Sequence, residues 1–267
     1  MAQYLQQFGL SHAPLSKGAS ASFETSGVKE LNSRFSWLLD SPGIGLLTGE
    51  PGVGKTAALQ QLCQTLSPHE YKVIYHSETD FGRIDLYRQL AMDFGLEPPF
   101  RRAGIWRILK LHIQELTQNQ QRLPIWIIDE AQNLPPEFFR DFPSFVNFTF
   151  DSQPLMTVWF VGNTYLNQVL KRQMFEALRS RIKLFIHFEP FNSTDEFKSM
   201  ITLAFKNAGA ASKLITDSGI ELIRLASQGR FRQAGQVIQT ALQLAYQSNL
   251  NHIPDQTIKQ AIEELQK

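Results

Sequence analysis

The chain has 267 residues, long enough for one α/β domain plus a smaller helical one with an ample core. Its 43% hydrophobic content and formal net charge of +1 are those of an ordinary globular protein, so bulk charge argues neither for nor against nucleic acid. The single Cys63 excludes an internal disulfide, fits a reducing compartment, and reads as a small core residue. No apolar run approaches the roughly 18 residues a membrane helix needs. Met1 to Leu15 lacks the basic and apolar regions of a signal peptide, so a cytoplasmic protein is expected, without a membrane partner.

Residues 1–25 are rich in Gln, Ser and Ala with scattered Phe, Leu and Pro, the composition of an arm that packs on something else. Val28 to Leu39 carries apolar residues at the spacing of an amphipathic helix. Five short apolar runs then read as strands: Gly45 to Thr48, Lys72 to His76, Leu123 to Ile128, Leu155 to Gly162 and Ile182 to Phe188. Between them, Ala57 to Leu66, Ile84 to Phe94, Ile105 to Asn119, Glu137 to Val146 and Leu166 to Ala177 read as helices. Alternation of apolar strands with helices implies a five-stranded parallel sheet covered on both faces. After Pro190 the strand signal stops. Thr194 to Ala208, Asp217 to Ser227, Phe231 to Ser248 and Pro254 to Leu265 are helical, which divides the chain into an arm (1–25), an α/β domain (26–190) and an all-α lid (191–267).

Gly49-Glu50-Pro51-Gly52-Val53-Gly54-Lys55-Thr56 fits the phosphate-loop pattern G-x-x-x-x-G-K-S/T, between a strand and a helix that opens at Ala57. The glycines let several backbone N–H groups converge on one anion, and the helix adds the positive end of its dipole. Lys55 is placed to reach the β- and γ-phosphates and Thr56 to complete a Mg²⁺ shell. The third strand runs into Asp129-Glu130, an acidic pair at the sheet edge where the phosphate loop should lie. Asp129 suits Mg²⁺ held through water, and Glu130 suits polarisation of a water that attacks the γ-phosphate. The fourth strand ends at Gly162-Asn163. If it neighbours the first strand, the Asn163 amide can reach the γ-phosphate or that water; otherwise it is a turn residue.

Arg179 and Arg181, with Arg172 upstream, precede the fifth strand and suit a phosphoryl group offered by a neighbouring subunit, although arginine pairs in loops are also common on solvated surfaces. Arg232 opens a lid helix, from which it could fold back onto the nucleotide of the same chain; the alternative is a plain basic first turn, but a cation there opposes the helix dipole and so asks for another reason to be there. The N-K-x-D motif of GTPases and the L-S-G-G-Q motif of ABC ATPases are both absent.

In this order the pieces resemble the AAA+ ATPases, over roughly residues 28 to 265. More narrowly, Tyr4-Leu5-x-x-Phe8-Gly9-Leu10, I-I-D-E-A-Q-N-L at 127–134, V-G-N at 161–163 and L-R-S-R-I at 178–182 are similar to the ExeA-type group. That group includes secretion ATPases and the TnsC, TniB and MuB-like regulators of DNA transposition. The resemblance implies an AAA+ parallel sheet with a helical lid, ATP and Mg²⁺ as ligands, and a homo-oligomer, often a ring or helical filament, on duplex DNA. Its partners would be a transposase and target-selection proteins. A secretion ExeA adds a transmembrane segment and a cell-wall-binding domain, which this sequence does not show. The lid motif G-R-F-R-Q-A-G at 229–235 is nearer the short transposition regulators than the G-x-P-R of secretion proteins.

Between Arg83 and Lys110 lie six basic residues against three acids, including adjacent arginines in Pro98-Pro99-Phe100-Arg101-Arg102 and an arginine closing Asp80-Phe81-Gly82-Arg83. Arg83, Arg101 and Arg102 are the candidate contacts to DNA backbone, since in related regulators the loops around this helix line the ring; a solvated basic surface is the plainer reading. Three functions remain open: a DNA-binding regulator of transposition, an ATPase of secretion or envelope assembly, and another DNA-side task such as helicase loading, clamp loading or phage defence.

Overall fold

A computed structural model describes residues 2–16, 25–80, 82–148 and 154–266. Part of the expected arm (Met1 and residues 17–24), together with Phe81 and Lys267, lies outside the described residues. In chain order the elements are α1 (Gln3–Gln7), α2 (Ser26–Asp40), β1 (Ile44–Gly49), α3 (Lys55–Gln64), β2 (Tyr71–His76), α4 (Arg83–Asp93) and α5 (Arg102–Gln118). They continue with β3 (Leu123–Ile128), α6 (Pro136–Val146), β4 (Thr157–Gly162), α7 (Thr164–Leu170), α8 (Glu176–Arg179) and β5 (Ile182–Phe188). Last come α9 (Thr194–Asn207), α10 (Asp217–Ser227), α11 (Phe231–Gln247) and α12 (Asp255–Leu265); short 3-10 turns occupy Ala131–Asn133 and Gln173–Phe175. The chain forms two compact units, one of Ser26–Gly49 and Lys55–Phe188, the other of Met1–Thr25, Glu50–Gly54 and Glu189–Lys267.

In the first unit all five strands are parallel, in the order β2-β3-β4-β1-β5. Strands β1 and β4 are buried along their whole length because helices cover both faces of the sheet. Edge strand β5 instead alternates buried and exposed positions. On one face Phe35 of α2 stacks on Trp159 at 5.5 Å. Gly45 makes room for that indole, since a Cβ there would stand 2.6 Å from the Trp159 ring. The other face is packed by aromatic side chains from α4, α5 and α6, with Tyr87, Phe138, Phe142 and Phe145 against Trp126 and Phe160. Truncating any one of these to Ala would cost about 3–5 kcal/mol. This core fixes the carboxyl ends of β1, β3 and β4 side by side, the edge where ligands bind in open parallel sheets.

The second unit packs α9–α12 around Phe197, Ile223, Ile238, Leu242 and Ile258, and α1 joins that core through Leu5, Phe8 and Leu10. The hydroxyls of Ser193 and Thr216 cap α9 and α10. Gly229 follows α10 with φ +69°, and a Cβ there would stand 2.2 Å from the Phe191 carbonyl oxygen, so no other residue fits.

The expected single helix from Leu166 to Ala177 is broken. Helix α7 ends at Leu170, Arg172 is extended, and a 3-10 turn leads into α8. A continuous helix would set Phe175 five positions after Leu170, well round the cylinder from the apolar face. The break re-phases the chain so that Leu166, Leu170, Phe175 and Leu178 are all buried.

Candidate functional site

Between β1 and α3 the chain turns through Gly52 at φ +85° and Gly54 at φ +94°, the left-handed region that favours glycine. Lys55 opens α3 and is buried, with its ammonium donating to the Gly49 carbonyl oxygen at 2.9 Å. An amine curled onto its own loop is poised for a stronger acceptor, and the first turn of α3 adds the dipole's positive end.

Thr56, next in the helix, donates its hydroxyl to Asp129 Oδ2 at 2.7 Å. Asp129 lies just past β3, only 3% exposed, and accepts two further bonds, from the Tyr75 hydroxyl at 2.9 Å and the Glu130 N–H at 2.8 Å. Burial, and then the Asp129 charge, push the Tyr75 phenol well above its ordinary range, so it stays a neutral donor. The tip of β2 is fixed beside this carboxylate, because the Asp129 N–H donates to the His76 carbonyl at 2.7 Å. The Trp126 indole donates to His76 Nδ1 at 2.9 Å, so Nε2 carries the proton shared with Asp93 at 2.6 Å.

Strand β4 does lie next to β1, with Gly162 opposite Thr48, so Asn163 follows at the level of Gly49. Its side-chain oxygen caps α7 by accepting from the Tyr165 N–H at 2.9 Å, which leaves the amide NH₂ as the donor end. Glu130 is exposed, with backbone angles φ 51° and ψ 34°. Its carboxylate Oε2 accepts from the Gln132 amide at 2.6 Å, and Gln132 Oε1 accepts in turn from the Asn163 N–H at 3.1 Å. Gln132 escapes sequence reasoning, because its importance depends on β3 and β4 being neighbours.

Thr56 and Asp129 present a hydroxyl and a carboxylate together, a hard-oxygen pair that fits Mg²⁺, and Lys55 fits a phosphate. Among the described residues no group of three or more His, Cys, Asp or Glu side chains could hold a metal. An ion here would therefore depend on these two residues, water and phosphate oxygens, as Mg²⁺ commonly does.

The loop segment Glu50–Gly54 belongs to the helical unit and meets the start of α11. Arg230 pairs with Glu50, and the Arg232 N–H donates to the Gly52 carbonyl at 3.3 Å. A Cβ on Gly52 would stand 2.9 Å from Arg232 Cβ, and one on Gly54 would stand 3.3 Å from the Phe231 ring. The Arg232 side chain is exposed. The arginine whose side chain engages the loop is thus Arg230, which sequence reading passed over because its pairing with Glu50 comes only with the fold.

Residues 39–170 match the AAA domain family. General secretion pathway protein A of Aeromonas hydrophila is 27% identical over 249 residues, which take in 91% of this chain and 45% of that protein. The chain therefore spans less than half the length of that curated relative. Among solved structures, Cdc6p from Pyrobaculum aerophilum matches with a TM-score of 0.69 at 19% identity, over 97% of this chain and 70% of that one. Drosophila ORC bound to DNA gives 0.70 at 17% identity, over 99% and 65% respectively. The Thermotoga maritima RuvB Holliday junction branch migration motor gives 0.59 at 21% identity, over 91% and 70%. The fold is the α/β AAA+ fold.

The paired arginines before β5 are placed differently from each other. Arg179 ends α8, and Arg181 donates to the Ala177 carbonyl at 2.8 Å; both are half-buried. Arg172 lies in the break after α7, exposed, with its guanidinium 3.5 Å from the Tyr165 hydroxyl. Of the three candidate DNA contacts, only Arg101 is exposed, at the N-cap of α5. Arg83 and Arg102 both pair with Asp141 of α6, the former at 2.6 Å, and Arg102 also lies 4.9 Å over the Trp106 ring. Among the described residues, no helix is long and apolar enough to cross a membrane.

Proposed function

We propose that this AAA+ protein hydrolyses ATP, assembles as a homo-oligomeric ring or helical filament on duplex DNA, and regulates DNA transposition by selecting targets and recruiting or activating a transposase. The observation that carries the catalytic part is the connected series Thr56–Asp129–Glu130–Gln132–Asn163 along one sheet edge. Residues Gly49 to Thr56, with Ala57 behind them, would wrap the phosphates, Lys55 neutralising the β- and γ-groups. Thr56 and Asp129 would hold Mg²⁺, which when bound draws negative charge off the phosphates. Glu130 takes a proton from water as the water oxygen bonds to the γ-phosphorus and the bridge to the β-phosphate breaks, leaving ADP and phosphate. The Asn163 amide orients that water, Arg179 or Arg181 of a neighbouring copy stabilises the transferring group, and Arg232 adds charge from the lid.

The DNA part is supported by the resemblance to transposition regulators, by a solved structural neighbour whose description is bound to DNA, and by a basic loop. In that loop Phe100 is 90% exposed beside exposed Arg101, a pairing of aromatic and cation that suits a nucleic-acid strand. Lys55→Ala should abolish ATP-dependent assembly, whereas Glu130→Gln should bind ATP and stay on DNA. Filter retention on duplex DNA after ATP is consumed reads this directly. Equal retention of wild type and Glu130→Gln would contradict the cycle.

A second reading, an ATPase serving secretion or envelope assembly, is favoured by the identity to general secretion pathway protein A. It predicts no retention on duplex DNA at low salt with a non-hydrolysed ATP analogue.

A further inference from the structure

We infer that Gln132 is a positioning residue that aims the Glu130 carboxylate and ties it to the tip of β4; this rests on the proposed hydrolysis of ATP. The bridge has a fixed polarity. The Asn163 N–H can only donate, so it requires the Gln132 carbonyl oxygen, and an ionised Glu130 can only accept, so it requires the Gln132 NH₂. Either end alone assigns the amide orientation, and the two agree. Gly162 is shaped around this contact, because a Cβ there would stand 2.5 Å from Gln132 Oε1.

Three anchors converge on Glu130. Its N–H is held by Asp129 Oδ1, its carbonyl oxygen accepts from the Thr79 hydroxyl at 2.9 Å, and its Oε2 is held by Gln132. An exposed carboxylate on a long side chain would otherwise sample many rotamers, so catalysis by a base needs such a restraint. Because the far end of Gln132 is fastened to the backbone of Asn163, a shift at that strand tip redirects the carboxylate. The glutamate and the amide beside the γ-phosphate position therefore move as one unit.

Two kinds of measurement test this. In nucleotide-free protein, the Gln132 side-chain amide resonance should be displaced from that of a free glutamine amide, and Glu130→Ala should return it. With nucleotide, Gln132→Ala should lower kcat at least about tenfold, while the Kd for a fluorescent ATP analogue stays within about twofold. Gln132→Glu keeps the acceptor for Asn163 but replaces the donor to Glu130 with a second carboxylate, and should lower kcat at least as far as Gln132→Ala does. Adding Gln132→Ala to Glu130→Gln should slow it no further, since the lost group acts through the glutamate. The inference is overturned by an amide resonance that Glu130→Ala leaves unchanged, by wild-type turnover in Gln132→Ala, or by equal slowing on both backgrounds. Absence of Glu130-dependent hydrolysis in wild type, with or without DNA, overturns the underlying reading as well. Should Gln132→Ala melt early, the comparison of the Gln132 amide resonance in wild type and Glu130→Ala still decides.

Discussion

Glu130 sits in the left-handed region at φ 51°, where a side chain with a β-carbon costs on the order of 1 kcal/mol. Nothing in the fold of β3 demands this, since the strand ends at Ile128 and the 3-10 turn begins at Ala131. The conformation brings the Glu130 carbonyl to Thr79 and its carboxylate to Gln132, so the strain is spent on aiming. Asn tolerates this backbone far better than Glu. Glu130→Asn should therefore keep or raise the denaturant midpoint, by up to about 1 kcal/mol in stability, while hydrolysis is lost. A fall of more than about 1 kcal/mol would mean that the Gln132 contact outweighs the strain. At this scale the sequence is informative only where chemistry follows chain order. The acidic pair after an apolar strand is legible because strand, Asp129 and Glu130 are consecutive. Gln132 and Arg230 are not, because each acquires its role from a partner, Asn163 or Glu50, that only the fold supplies.

Helices α4 and α5 both open with arginine at the positive end of their dipoles, an unfavourable placement in isolation. Asp141 of α6 resolves it for both, pairing with Arg83 and Arg102 at once. The same carboxylate neutralises two of the three cations proposed to meet DNA, so DNA phosphates and Asp141 compete for them. Asp141→Asn should thus strengthen retention on duplex DNA at low salt and steepen its salt dependence, by about one unit of log K against log salt per added phosphate contact. It should also cost stability, since two half-exposed arginines lose their partner. Lower stability with unchanged DNA binding would reduce Asp141 to a structural role. Element positions are largely legible, because period and turn chemistry are local: β3, β5 and α10 begin and end where apolar alternation and Thr216 set them. The break between α7 and α8 is not, because Leu166 to Ala177 has good helix formers throughout. Burial of Phe175 against the core overrides propensity there.

The arm shows how the ends of the chain bear on the phosphate loop. Its apolar residues are legible as a packing surface, but which surface they cover is not. Leu5, Phe8 and Leu10 are buried in the core of the same chain's helical unit, and the Ser11 N–H donates to the Ala208 carbonyl at 2.7 Å. That unit also holds Glu50–Gly54 through Arg230 and the Arg232 N–H. No arm residue needs to touch the loop for the two to be linked; they share one cooperative body. Phe8→Ala or Leu10→Ala should each lower stability by about 2–5 kcal/mol through the cavity left behind. Each should also weaken binding of a fluorescent ATP analogue several-fold, with Asp129, Glu130 and Gln132 untouched. Chemical denaturation and an equilibrium titration on the same variants check both. A large fall in stability with an unchanged Kd would show that the loop keeps its shape without the helical core, and the arm would then serve that core alone.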